Sequence, residues 1–320
     1  MDTADRIERR MKLRDLRVLI AVVQAGSMSK AAESLGTAQP ALSRSIAALE
    51  DTLGVRLLDR SPRGVEATDY GRAVIRRGVA AFDELRQSVN DIAFLSDPTA
   101  GELRIGAGEG LANGPVLQVI DRLSRQHPRI SIHLATAPVE KLRVELIERR
   151  IEMAFVRLAE PIVDRQLAVE RLFDDPFVVV ASPRNPWTRR RRVQLDELLD
   201  EPWVLLPYET LSGSLVAQAF RISGVEPPRA TVFTQALHVR DRLLATGRFL
   251  STRPRFAVCL PDRQPFLKAL PVELPGTRRP IAMVTLKART LSPLAELFAT
   301  RIRETIKPLM KTSKASPRGG

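Results

Sequence analysis

Gln39, Ser43 and Arg44 fall within two turns of helical pattern, on the face opposite Ile46 and Leu49. None of the three types is poised there for bond making. They are the types that read base edges when a helix enters the major groove by its N-terminal end. Arginine pairs bidentately with guanine, glutamine pairs with adenine, and serine reaches a base or an adjacent phosphate. Thr37 and Pro40 flank this set at the start of the same helix. Ser27 and Lys30 open the preceding helix, where backbone amides favour a phosphate. Arg63 sits in a Pro62-Arg63-Gly64 turn that can approach a phosphate or the minor groove. Together these eight residues form a candidate DNA-binding set.

Little in the chain points to catalysis. The three histidines, His127, His133 and His238, are scattered, and there is no nucleophile elbow, zinc-protease or phosphate-loop pattern. Gly106, Gly108 and Gly110 follow a strand pattern but are wrongly spaced for a dinucleotide fingerprint, so they read as a ligand loop or turn. The single cysteine, Cys259, supplies neither an intramolecular disulfide nor a zinc cluster. No enzyme activity, metal or cofactor is expected, and no apolar run is long enough for a membrane span. The charged N-terminus lacks a signal-peptide core, so a cytoplasmic location is expected. Lys and Arg exceed Asp and Glu by 13, but residues 1–95 carry only +2 of that excess and the remainder +11. Net charge therefore does not locate the nucleic-acid site, and the arginine run 189–192 reads as a solvated loop.

Elements must hold these residues in place. Leu13, Leu16, Leu19, Ile20 and Val23 define a first helix that stops at Gly26. Ser27 is placed to cap a second, short one broken at Gly36. A third begins at Gln39-Pro40, buries Leu42, Ile46, Leu49 and Leu53, and ends at Gly54. Leu57 and Leu58 lead into a strand, turn and strand around 60–65. This is a helix-turn-helix followed by a wing. From 68 to 95 the pattern is continuously helical, about 40 Å long, with Gly71 and Gly78 as weak points. Val74, Ala81, Leu85 and Ile92 fall at heptad-like spacing and suit pairing with a second chain.

The run Leu16, Leu19, Val22, Gly26-Ser27, Ala31-Ala32, Leu35, Gln39-Pro40-Ala41, Ser43, Ile46, Leu49-Glu50, Leu53-Gly54, Leu57, Arg60, Gly64, Thr68 and Gly71 resembles the winged helix-turn-helix of LysR-type transcriptional regulators. Two positions depart from the family pattern. Leu58 replaces a phenylalanine, a tolerable core swap, and Ala38 replaces a serine that ordinarily caps the recognition helix, leaving Thr37 as the neighbouring hydroxyl. The resemblance implies a sequence-specific bacterial regulator whose DNA binding or promoter activation responds to a small-molecule effector. It also implies double-stranded DNA with two half-sites, RNA polymerase, and a homodimer to homotetramer paired through the long helix.

Beyond a turn-rich hinge at 96–101 the pattern alternates. Strands are expected at 103–106, 130–135 and 153–156 with helices at 115–126 and 139–149, an α/β unit with a parallel sheet. A second unit has strands at 177–181, 203–206, 231–234 and 249–251 with helices at 195–199, 214–223 and 239–245. Strand 281–286 and helix 292–306 close the chain. The expected class is α+β and α/β: a winged helix-turn-helix over 1–67 and a linker helix over 68–96, and then, as the resemblance implies, a two-lobed domain similar to periplasmic binding proteins, its last strand and helix returning to the first lobe. Lobe 1 takes 97–170 and 275–310, lobe 2 takes 171–274, and 311–320 is a disordered tail.

In such a domain a ligand lies between the lobes, at strand ends and helix N-termini. That singles out Gly108, Glu109, Thr136, Arg157, Tyr208, Ser212, Thr234, Gln235 and Thr252 as effector-binding candidates. Glu109 would repel a carboxylate unless Arg157 offsets it, which leaves the ligand's charge open. A solute-binding protein or small-molecule enzyme built on the two lobes is the alternative, disfavoured by the attached DNA-binding unit and the charged N-terminus.

Overall fold

The computed structural model describes residues 10–61, 64–260 and 266–314. Two compact units divide the chain between Val89 and Asn90. In the first, α1 (Leu13–Ala25) ends at Gly26 in the left-handed region, α2 (Met28–Ser34) follows Ser27, and α3 (Gln39–Leu53) ends at a left-handed Gly54. Leu16, Leu19, Val22, Leu42, Ile46 and Leu49 meet in one core. Leu13, expected on that face, is exposed. Neither Ser27 nor Thr37 caps its helix. The Ser27 side chain makes no cap bond, and α3 starts from Ala38 with no side-chain partner.

β1 (Leu58–Ser61) and β2 (Gly64–Ala67) form the antiparallel wing. A Cβ on Gly64 would stand 2.7 Å from the Gly26 carbonyl oxygen, to which the Val65 amide donates at 3.0 Å. The wing is thereby tied to the end of α1. Glu50 ties it to α3, one carboxylate oxygen accepting from the amides of Leu57 at 2.7 Å and Leu58 at 3.3 Å. α4 (Asp69–Ser96) opens with Thr68, whose hydroxyl accepts from the Gly71 amide. The two glycines expected to weaken α4 are its contact points. A Cβ on Gly71 would collide with the Leu57 carbonyl oxygen at 2.1 Å, and Gly78 packs on Leu16 and Ile20.

The second unit is built on a mixed five-stranded sheet of order β4-β3-β5-β12-β6, its strands being β3 (Ala100–Ala107), β4 (Arg129–Thr136), β5 (Met153–Arg157), β6 (Leu167–Asp175) and β12 (Arg279–Leu286). β3 runs parallel to β4 and β5, whereas β12 is antiparallel to β5 and β6. α5 (Leu117–Gln126) and α10 (Pro293–Lys314) cover one face through Val119, Leu123 and Phe298. α6 (Val139–Ile147) covers the other through Leu142 and Leu146, and a Cβ on Gly106 would lie 2.6 Å from Leu142. Gly106 is thus a packing glycine.

Lobe 2 centres on β7 (Phe177–Ala181), flanked antiparallel by β10 (Leu250–Pro254) and β11 (Lys268–Ala269), with a two-stranded parallel pair, β8 (Val204–Leu205) and β9 (Val232–Phe233). α7 (Leu211–Ile222) and α8 (Leu237–Ala245) complete it, and the short α9 (Phe256–Cys259) sets Phe256 into the core of lobe 1. Buried Trp203 donates to the Leu198 carbonyl at 2.7 Å and meets Phe220 edge-on.

The parallel sheet expected over the first three strands is present in β3, β4 and β5, and the returning β12 joins it antiparallel. Three other expectations need correction. The helix expected at 195–199 is one 3-10 turn, Asp196–Leu198. The expected lobe boundary at 171 falls inside β6, an edge strand overlooked because Glu170, Arg171 and Asp174 interrupt its apolar alternation. The chain crosses between lobes at Pro176, where the Phe177 amide donates to buried Thr277 on the returning segment. The last helix continues through Pro308 to Lys314, so the first four residues of the expected tail are helical, and 315–320 lie outside the described residues.

Candidate functional sites

The N-terminal unit presents Gln39, Pro40 and Arg44 to solvent from the first two turns of α3, with Ser43 half-buried beside them. Packing of Leu42, Ile46 and Leu49 fixes this orientation. Lys30 is exposed on α2, while Ser27 and Thr37 are half-buried. Ser29, overlooked in the sequence, donates its hydroxyl to Gln39 Oε1 at 3.1 Å and holds that side chain across the turn. Ser45 on the inner flank of α3 hydrogen-bonds Asp15 on α1. Arg63 lies outside the described residues.

Along α4, Val74 with Ile75 and Phe82 packs on the core of its own unit, and the Arg17 guanidinium lies 5.4 Å over the Phe82 ring. Val74 is therefore occupied within its own chain, and Ala81 is half-buried. The exposed apolar stripe is Leu85, Val89, Ile92 and Leu95, of which Leu85 is 48% and Leu95 80% exposed.

In the second unit a cavity of about 800 Å³ opens between the lobes. Gly108, Glu109, Thr136 and Arg157 line it from lobe 1, and Ser212 and Gln235 from lobe 2. Tyr208, Thr234 and Thr252 do not line it. The Tyr208 hydroxyl donates to the Pro228 carbonyl at 2.9 Å, its ring meets Phe233, and burial pushes its pKa up to about 12. The Thr234 hydroxyl accepts from the Ala236 amide in the turn before α8, and Thr252 is buried within β10. The walls are largely aliphatic and aromatic, with Leu117 and Phe256 on one side and Leu206 and Leu211 on the other.

Charges in this cavity are paired unequally. Arg157 is committed: it bonds Asp175 at 2.6 Å and lies 4.6 Å over the Phe177 ring, and Asp175 also accepts from the amides of Arg255 and Phe256. Burial pushes the Asp175 carboxyl up while Arg157 pulls it down. Arg157 thus closes the neck between the lobes rather than offsetting Glu109. Arg253, nearly buried, bonds Asp241 at 2.6 Å. Arg240 is different. It is 5% exposed, its nearest carboxylate, Glu109, stands 3.8 Å away, and its Nε has no hydrogen-bond partner. Burial first, and then the neighbouring Arg253, lower the Arg240 pKa to about 10, which leaves it protonated at neutral pH.

Glu109 spans the cleft. From the turn after β3 its Oε1 accepts from the Leu237 amide at 3.0 Å, the first residue of α8, whose N-cap Ala236 offers no side-chain oxygen. A carboxylate from lobe 1 therefore supplies the cap that lobe 2 lacks. No sequence signal marks this contact, since Glu109 and Arg240 are far apart in the chain and Arg240 reads as one more polar position on a helix.

Residues 13–72 match the model for bacterial regulatory helix-turn-helix proteins of the lysR family, and residues 96–307 match the LysR substrate binding domain. The chain is similar to the SDS degradation transcriptional activation protein of a Pseudomonas species, 37% identical over 57% of this chain and 60% of that protein. It is 27% identical to the transcriptional regulator GbpR of Azospirillum brasilense over 97% of this chain and 91% of that one. Its fold is similar to that of full-length OxyR of Pseudomonas aeruginosa, with a TM-score of 0.62 at 23% identity over 97% and 99% of the two chains. With both family models matched in sequence order on the two units described above, the chain belongs to the LysR family of transcriptional regulators.

Proposed function

We propose that α3 lies in the major groove of a promoter half-site, with Gln39, Ser43 and Arg44 meeting base edges, and that occupancy of the interlobe cleft controls the resulting DNA complex. The observation that carries the first part is the orientation of α3. Its apolar stripe is fully used by the core, while Gln39 and Arg44 face out near the helix start. Lys30, Ser27 and the wing would hold the flanking phosphates. The exposed stripe on α4 supports pairing of two chains, which places two recognition helices on two half-sites. A tetramer and contact with RNA polymerase belong to the same reading, as does a cytoplasmic location; among the described residues no helix is long and apolar enough to cross a membrane.

For the second part, the support is a cavity of about 800 Å³ with apolar walls and one weakly paired buried cation, a volume suited to a small metabolite. The Pseudomonas relative is named for control of SDS degradation. An aliphatic cleft fits a comparable role here, control of genes that handle a compound with an apolar body. The test is duplex binding as a function of salt, using the region upstream of the chain's own gene and a scrambled duplex of equal length. Binding at least 1,000-fold tighter to the promoter at physiological salt is expected, within the range of specific regulators. Equal affinity for both duplexes at every salt concentration would overturn the reading.

A further inference from the structure

Two features of the cleft point to the ligand's charge. The first is the N-terminus of α8, a nine-residue helix whose first amide is capped by a carboxylate borrowed from the opposite lobe. The second is Arg240 one turn further on, 95% shielded from solvent, lining the cavity, with an orphaned Nε and, among the described residues, no carboxylate nearer than Glu109 at 3.8 Å. A buried donor without an acceptor is destabilising, more so when the group is charged, and in a group that lines a cavity an acceptor arriving from outside relieves that cost. The neighbouring buried guanidiniums, on Arg157 and Arg253, each hold a carboxylate at 2.6 Å and need nothing further.

Glu109 occupies this place incompletely. One of its oxygens is used on the Leu237 amide, the other is too far from Arg240 for a hydrogen bond, and the side chain is partly exposed toward the cavity. A carboxylate or sulfate on a free molecule is not tethered to β3. Once Glu109 is displaced, such a group is free to accept from the α8 amide and to approach the Arg240 guanidinium edge-on, a fork that a guanidinium favours. Leu117, Leu206, Leu211 and Phe256 suit an apolar body, and the other arginines that line the cavity, Arg125, Arg157 and Arg253, are each already paired with an aspartate.

We propose that the cleft receives an amphiphilic anion, an apolar body ending in one carboxylate or sulfate, whose head displaces Glu109 from the α8 N-terminus and pairs with Arg240. This rests on the cleft being the effector site and adds the ligand class and the internal competitor. Displacement exchanges one interlobe bridge, made by the protein, for another made by the ligand. The ligand acts on the lobes to the extent that the two bridges favour different arrangements.

The experiment is calorimetric titration of the full-length protein with decanoate, decyl sulfate, 1-decanol and decyltrimethylammonium below their micelle thresholds, on wild type, Glu109→Gln and Arg240→Met. Footprints on the promoter are taken in parallel. The expected result is binding of at least one anion, the two anionic probes distinguishing a carboxylate from a sulfate head. Decanol should bind at least 10-fold more weakly and the cation not at all. Anion affinity should fall at least 10-fold in Arg240→Met and rise several-fold in Glu109→Gln, where a neutral amide is a poorer competitor. Glu109→Gln alters a partly exposed side chain, so it keeps the test valid if Arg240→Met does not fold. Decanol binding as tightly as the anions, anion affinities unmoved in the variants, or no binding of any probe would overturn the proposal. Anion binding as expected with an unaltered footprint would instead contradict the effector reading and leave the anion site standing. A footprint altered by decanol alone would do the reverse.

Discussion

Two buried arginines in one cavity have opposite consequences. Arg157 neutralises Asp175, which is itself buried and anchors the amides of Arg255 and Phe256. Removing one partner of such a pair leaves an uncompensated charge, so Arg157→Met should destabilise the second unit by about 3 to 5 kcal/mol. Arg240 has only Glu109 at 3.8 Å, and burial lowers its pKa to about 10, so keeping its charge in the folded state costs stability at every pH below that value. Arg240→Met removes that cost while retaining the apolar stem, so stability should stay within about 1 kcal/mol of wild type or rise. Denaturant titrations of the three full-length proteins check both statements. Equal losses in the two variants would mean that Arg240 is structural rather than reserved for a ligand.

The secondary elements show what a sequence exposes to inspection. α1, α2, α3 and the wing were legible because their stripes, breakers and turn residues act within a few positions. Leu42, Ile46 and Leu49 announce their own burial, and Gly26 and Gly54 their left-handed stops. The parallel run of β3, β4 and β5 was legible, but the direction of the returning strand was not, since nothing local to Arg279–Leu286 states that it runs antiparallel to β5. Six of the nine expected cleft residues line the cavity because strand ends were placed correctly. The residue that matters most there, Arg240, depends on a contact more than a hundred positions away. Gly71 was misread for the same reason, as a flaw in a helix when it is where α4 meets the wing. Gly71→Ala would drive a Cβ into the Leu57 carbonyl, and the contact is with backbone that cannot rotate away. A loss of about 1 to 3 kcal/mol in the N-terminal unit is expected, with the wing amides, Val65 among them, exchanging faster by hydrogen-deuterium exchange. Unchanged exchange there would show that the wing yields without cost.

At the scale of the whole molecule, the proposed pairing of two chains rests on the long helix. Leu85, Val89, Ile92 and Leu95 leave an apolar stripe uncovered in the single chain, and burying it against a second copy is worth about 25 cal/mol per Å². A carboxylate in the middle of that contact must be desolvated, so Leu85→Asp or Ile92→Asp should shift the protein to a smaller sedimenting species at micromolar concentration. Val74→Asp should instead damage the N-terminal unit, where Val74 packs on its own core. Unaltered sedimentation for both stripe variants would place the interface on another surface.

Reading of promoter sequence by a paired chain through α3 is tested by selecting bound sites from a randomised duplex library with the full-length protein and with Arg44→Ala. Wild type is expected to enrich a motif of two related half-sites. Arg44→Ala, whose side chain is exposed and outside the core, should bind the same motif with preference relaxed at one base pair in each half-site, a loss of about 1 to 3 kcal/mol at that position. Wild type that enriches no motif, or Arg44→Ala that selects the wild-type motif with undiminished preference at every position, would contradict the account.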